Sequence, residues 1–201
     1  MDFGISLALA GLPLIKAGRL ARIAEANDMA MVSVGELAYD AFSACTYLAT
    51  QTTTIPLWTG IAAWTRPPVT TALAAGTVDH ASEGRFTLGL GTMPAPWNIH
   101  HYGIDPSRPI SRMREYVLAI RSALAAHSGK SCEFQGEFFQ ISGYRRPEPP
   151  LREDIPISLA ATRPAMARLA GQIADSAYLN VIHTLPYIPH RPAGKAHPRS
   201  G

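Results

Sequence analysis

Three short stretches hold residue types that could take part in chemistry. In "WNIHHYG", His100 and His101 offer imidazoles, which titrate near neutrality and can carry a proton. A histidine pair in a loop can equally be simply solvated. In "AATRPAMARLAG", Thr162 stands where it could cap a helix, and Pro164 suits a first helical turn, where its missing N–H does no harm. Such a helix start presents free amides and a positive dipole end to a phosphate, and Arg163 adds a bidentate donor. The same pattern also describes a capped surface helix with an incidental arginine. In "GRFTLGLGTM", Gly89 and Gly91 close an apolar run. A dinucleotide loop, G-x-G-x-x-G, needs a third glycine, a helix directly behind it and the first strand of its unit. Here Thr92-Met93-Pro94 follows, the next segment is proline-rich and is expected to be non-helical, and the run is the fourth strand. The dinucleotide reading is rejected. A strand end that admits a flat ligand to the backbone, or a plain turn, both stay open.

Other chemistries are excluded by what is missing. Cys45 and Cys132 form no CxxC pair and no His or Asp cluster has metal spacing, so no metal is expected. Two isolated cysteines suit a reducing, cytoplasmic setting. Hydrophobic content of 47% with 16% charge is that of a globular chain, and no apolar run reaches membrane-spanning length. The net charge of +3 is matched by Arg191, Lys195 and Arg199, so the body is near neutral and no basic face suggests nucleic acid. Trp64 and Trp97 fall just past strand ends and could line an apolar pocket; like Trp58, they could equally be core or rim.

These residues need elements to position them. Strands are predicted over residues 3–7, 29–34, 55–62, 86–90, 155–160 and 178–181, and helices over 14–26, 41–50, 69–80, 111–127 and 164–174. Leu20, Ile23 and Ala24 are expected on one face of the first helix. Met113, Tyr116, Val117, Ile120 and Leu124 recur at helical spacing in the fourth. Asp40 is placed to cap the second, and a small hairpin over 132–141 turns at Gln135-Gly136. Alternation of this kind means a parallel sheet covered by helices, either doubly wound or a (β/α)8 barrel, with sites at the carboxyl ends of the strands. The closing "PYIPHRPAGKAHPRSG" has four prolines and no periodicity, and a disordered tail is expected from residue 189.

The strand-end segments Gly35-Glu36, Gly60-Ile61-Ala62-Ala63-Trp64, Gly91-Thr92-Met93 and Ala160-Ala161-Thr162-Arg163-Pro164, with "PAMARLAGQIADSAYLN", resemble the bacterial-luciferase-like superfamily. Its members are FMN-dependent monooxygenases and deazaflavin (coenzyme F420)-dependent oxidoreductases. The resemblance covers residues 1–188, with "TGIAAWTRPPVTTA", "GRFTLGLG", "FQGEFFQISGYRRPEPPLREDIPI" and "SLAATRPAMARLAGQIAD" its most specific parts. It implies a TIM-type barrel, here incomplete at about five and a half βα units. It implies FMN or coenzyme F420 across the strand ends, contacted by Gly60, Ile61, Ala62, Gly91, Thr92, Ala161, Thr162 and Arg163, and a small-molecule substrate. The chemistry implied is hydride transfer with F420 or monooxygenation with FMN and oxygen. "TGIAAWTRPP" resembles the deazaflavin branch, in which the bond matching Gly60–Ile61 is cis. Glu36 and His101 are the implied catalytic residues. Glu36 stands where luciferases carry a catalytic histidine, so luciferase chemistry itself is not carried over. Arg163-Pro164 replaces a common Gly-Pro, and Ser176 replaces the glycine of an Ala-Asp-Gly turn, a costly exchange if φ is positive there. A homo-oligomer is compatible with this reading. The alternative expectation is a non-catalytic, truncated fragment lacking the last two βα units and part of the sixth, whose open sheet edges a partner chain could complete. An unrelated phosphate-binding β/α enzyme is a third.

Overall fold

In the computed structural model, which describes residues 2–7 and 11–179, the strand–helix alternation folds as one curved parallel sheet. β1 (Ile5–Ser6), β2 (Val32–Val34), β3 (Leu57–Thr59), β5 (Phe86–Gly91), β8 (Ile157–Ala160) and β9 (Ser176–Tyr178) lie in that order, and the short β4 (Ala62–Ala63) continues the track of β3 along β5. The crossovers are α1 (Leu14–Ala26), α2 (Ala41–Gln51), α3 (Pro68–Ala81), the pair α4 (Ala95–Tyr102) and α5 (Pro109–Leu124), and α6 (Pro164–Ile173). An antiparallel hairpin, β6 (Cys132–Gln135) and β7 (Gln140–Tyr144), follows α5. The described residues form an incomplete barrel of the (β/α)8 type.

The sheet is curled. β2 and β9 are four steps apart in strand order, about 19 Å in a flat sheet at ~4.8 Å per strand. Yet the Tyr178 hydroxyl lies 3.4 Å from Ser33 Oγ across the concave side.

Register separates two faces. Ile5, Val32, Leu57 and Phe86 stand in one row, and Leu88 pairs with Ile157 and Leu90 with Leu159, all apolar. With buried residues of the helices they form the core, including Met113, Tyr116, Val117, Ile120 and Leu124, all 0% exposed. The alternate positions are Ser6, Ser33, Trp58 and Thr87 in one row, and Gly89, Ser158 and Ser176 in the next. The concave face is thus built of small and hydroxylated residues around Trp58, although a two-sided apolar strand is the usual parallel pattern.

Several elements differ from expectation. The buried face of α1 is Ala17, Gly18, Ala21 and Ala24, while Ile23 is exposed. The small face lets α2 approach: a Cβ on Gly18 would sit 2.9 Å from the Tyr47 ring. The segment behind β5 is helical after all. Pro94 and Pro96 fall at the N-cap and in the first turn of α4, where proline is tolerated, and Gly103 ends it in the left-handed region. Ser176 lies in β9 and is not among the residues with positive φ, so no strain arises there. The expected tail from 189, and residues 180 and 181 of the last expected strand, lie outside the described residues.

Candidate functional site

The predicted third strand is broken by a bulge. Trp58 pairs with Thr87 and Ala62 with Leu90, so four steps on one strand face three on the other. The bond at the bulge, Gly60–Ile61, is cis. The displaced ladder is made good by Thr59, whose Oγ1 accepts from Gly89 N–H at 2.8 Å and donates to the Gly89 carbonyl at 2.8 Å. On the other side, Gly60 N–H donates to the Val34 carbonyl (2.7 Å) and Glu36 N–H to the Ile61 carbonyl (3.0 Å).

Small residues surround this segment. A Cβ on Gly60 would lie 2.9 Å from Ser33 Oγ and 3.1 Å from the Tyr178 hydroxyl, and one on Gly91 would collide with Ile61 Cδ1 and approach Ala160 Cβ to 3.3 Å. A side chain at Gly91 would thus displace Ile61, whatever binds above it. The Gly91 carbonyl accepts from Trp64 N–H at 3.1 Å, which brings Gly60, Ile61, Ala62 and Gly91 together on adjacent tracks.

Charged and amide side chains hold this frame. Glu36 accepts from Ala63 N–H at 2.6 Å and from Arg66 Nη2 at 3.1 Å, and Arg66 also pairs with Asp40 and lies 5.0 Å above the Phe42 ring. Asp40 Oδ1 in turn caps α2 by accepting from Ser43 N–H at 2.7 Å. Asn98, which the sequence reading passed over, is 0% exposed. Its Oδ1 accepts from Trp64 Nε1 at 2.7 Å, and its Nδ2 donates to the carbonyls of Thr92 (2.7 Å), Pro94 (3.1 Å) and Met93 (3.3 Å). It ties the end of β4 to the loop behind β5. An Asn before two histidines carries no local signal; only the α4 helix turns it inward. Trp64 is core, at 2% exposure.

The remaining candidates lie apart from this group. Ala161 is buried and donates its N–H to the Tyr178 carbonyl at 3.0 Å. Thr162 and Arg163 are exposed at the start of α6. The N-cap is Arg163 rather than Thr162, in extended backbone, and the Arg163 side chain makes no capping hydrogen bond. A helix start of this kind suits an anion. His101 stands on the exposed side of α4, its ring 5.6 Å from that of Trp97 and 6.3 Å from that of Tyr102. Among the described residues no hydrogen bond joins it to Glu36.

Two buried groups are held out of acid–base work. Burial pushes the Cys45 thiol up to about 12. Burial also raises the Tyr116 phenol to about 12, against the opposing hydrogen bond with Thr71 (2.6 Å). Among the described residues no group of three His, Cys, Asp or Glu could hold a metal ion, and no helix is long and apolar enough to cross a membrane.

Comparison with known proteins extends this picture. The family described as luciferase-like monooxygenase matches residues 1–188. A 5,10-methylenetetrahydromethanopterin reductase of Methanolobus tindarius is 30% identical over 186 residues, 91% of this chain and 55% of that protein. One from Archaeoglobus fulgidus is 35% identical over 146 residues, 71% of this chain and 41% of that protein. The structure of the coenzyme F420-dependent tetrahydromethanopterin reductase of Methanopyrus kandleri superposes with a TM-score of 0.74 at 25% identity, over 89% of this chain and 55% of that one. The chain spans about half the length of the curated relatives it matches.

Proposed function

Because the chain belongs to the luciferase-like monooxygenase family, we propose that it serves an oxidoreductase that uses coenzyme F420 as hydride carrier on a small-molecule substrate. The observation that carries this reading is the bulged Gly60–Ile61 segment set among Ser33, Gly91 and Ala160. These small residues fit a flat ring laid against the backbone. The deazaflavin side is favoured by the methanopterin reductase relatives. FMN-dependent monooxygenation is the second reading, favoured by the family the chain belongs to.

When bound, the cofactor would supply the hydride chemistry, and the protein supplies position and environment. Gly60, Ile61 and Ala62 would back the ring, with Gly91 and Thr92 bordering it. Ala161, Thr162, Arg163 and the start of α6 would take the phosphate. Glu36 acts by fixing Ala63 and Arg66, and so holds the segment that backs the ring. His101, open to solvent on α4, would serve as the proton carrier. Cys45 and Cys132 are buried free thiols, which suits a reducing cytoplasm.

Titration of the chain with F420 and with FMN, following ligand fluorescence, tests this. Saturable binding of F420 supports the first reading, and preference for FMN moves the assignment to the second. Binding of neither by folded protein overturns both.

A further inference from the structure

Just beyond β4, between the starts of α3 and α5 and the tip of the β6–β7 hairpin, lies a cavity of about 450 Å³. That is within the usual range for small-molecule sites. Its apolar walls include Trp64, Pro67, Phe138 and Phe139. Its charged lining is Arg66 and Arg112, with no carboxylate among the lining residues.

The two arginines are not equivalent. Arg66 is neutralised by Glu36 and Asp40. Arg112 takes part in no ion pair among the described residues. Its guanidinium is fixed between two rings, 5.2 Å from the Trp64 centroid and 5.8 Å from that of Phe139. Nη1 donates to the Asp105 carbonyl at 2.8 Å, and no described residue accepts from Nη2. The Asp105 carboxylate is engaged elsewhere, by the hydroxyl and the N–H of Ser107 (2.9 Å to the latter).

The cavity therefore joins aromatic walls to one pre-oriented guanidinium that no carboxylate contacts directly, the Asp105 carboxylate acting on it only through space. A monoanion with an apolar body answers both features, whereas a doubly charged phosphate would bring a second, unmatched charge into an apolar space. No lining residue is among those assigned to the cofactor, and the backbone bond from Trp64 to Gly91 puts the two sites side by side.

We propose that this cavity binds a small carboxylic acid with an apolar or aromatic body, its carboxylate on Arg112 and its body against Pro67, Phe138 and Phe139. Under the oxidoreductase reading such a ligand is the substrate or its anchoring arm. The binding itself does not depend on that reading.

Calorimetric titration of the 201-residue chain with 4-phenylbutyrate and with its primary amide tests the proposal. The acid is expected to bind saturably and roughly tenfold or more tighter than the amide, as a charge-assisted hydrogen bond requires. Arg112→Met is expected to remove that preference and leave amide binding unchanged. Val69→Trp, which fills the space, is expected to weaken both. Equal affinities for acid and amide, an unchanged preference in Arg112→Met, or no saturable binding of the acid overturns the proposal. The acid-to-amide ratio is read on the unaltered chain, so a variant that fails to fold does not obscure it. Retained acid selectivity without binding of F420 or FMN would sink the functional reading and leave this one standing; the converse result does the reverse.

Discussion

At the amino-terminal ends of the strands, charged side chains are consumed by the backbone beside them. Glu25 accepts from the N–H groups of Thr53 (2.8 Å), Thr54 (2.6 Å) and Ile55 (3.0 Å). Arg85 donates to the carbonyls of Ser82, Ile55, Ala49 and Thr52. Asp79, 1% exposed, accepts from Arg152 Nε at 3.1 Å and also from its Nη2, while Arg152 donates to the Phe86 carbonyl at 2.8 Å. At the carboxyl ends, Glu36, Arg66 and Asn98 brace loops, while Arg112 keeps a donor to spare. One end closes its polar groups for stability; the other leaves some open to a ligand, the division expected of a barrel.

The sharpest way to break this comparison is to injure the closed end and ask whether the open end notices. Asp79→Ala leaves Arg152 without its carboxylate partner and is expected to cost about 3–5 kcal/mol of stability, a large part of the total for an ordinary domain. Urea unfolding measures it, and cofactor affinity of the protein that remains folded should be unchanged. A loss below about 1 kcal/mol would show the pair to be a surface ornament.

Asn98→Ala strikes the open end. It leaves the Trp64 indole N–H and the Thr92 carbonyl without their partner, at an expected cost of about 2 kcal/mol. Unlike Asp79→Ala, it should also shift tryptophan emission and weaken cofactor binding, because the Thr92–Pro94 loop is released. Unchanged affinity would separate this loop from the site.

Glu36→Gln is milder. The amide oxygen can still accept from Ala63 N–H, but the charge facing Arg66 is gone. Cofactor affinity is expected to fall by roughly tenfold, about 1.4 kcal/mol, with little change in Tm. A large Tm shift at constant affinity would make Glu36 a structural residue of the closed kind.

The same division explains what could be read from the sequence. Strand–helix order and the face of α5 were legible because burial imposes a period, and Met113, Tyr116, Val117, Ile120 and Leu124 obey it. α1 misled because its buried face is alanine and glycine, so the larger Ile23 pointed the wrong way. α4 was hidden by prolines that in fact start it. Gly60–Ile61 was reached through family resemblance alone, since no local rule marks that bond. Asn98, Arg112 and Thr59 were invisible for a common reason: each acts on residues distant in sequence, so only the folded register reveals its partners.

The smallest expected effect is a pH dependence at the closed end. Burial alone would raise the Glu25 carboxyl, but the N–H groups of Thr54, Ile55 and Thr53 and the Thr54 hydroxyl hold it down to about 2 from its ordinary 4.5. A carboxylate depressed in the folded state contributes stability above its unfolded value, and the contribution is lost as pH falls through the folded one. Glu25 should therefore stabilise the fold fully above pH 4.5 and lose that contribution on the way down to about pH 2. Glu25 is only half-buried and solvent screens part of the effect, so the total should stay at about 1 kcal/mol or below. Comparing urea midpoints of the unaltered chain and Glu25→Gln from neutral pH downward isolates this residue from the other carboxylates. The gap between them should narrow through that window. A gap that stays constant with pH would mean that the loop before β3 is held by shape, with the charge of Glu25 contributing nothing to the closed end.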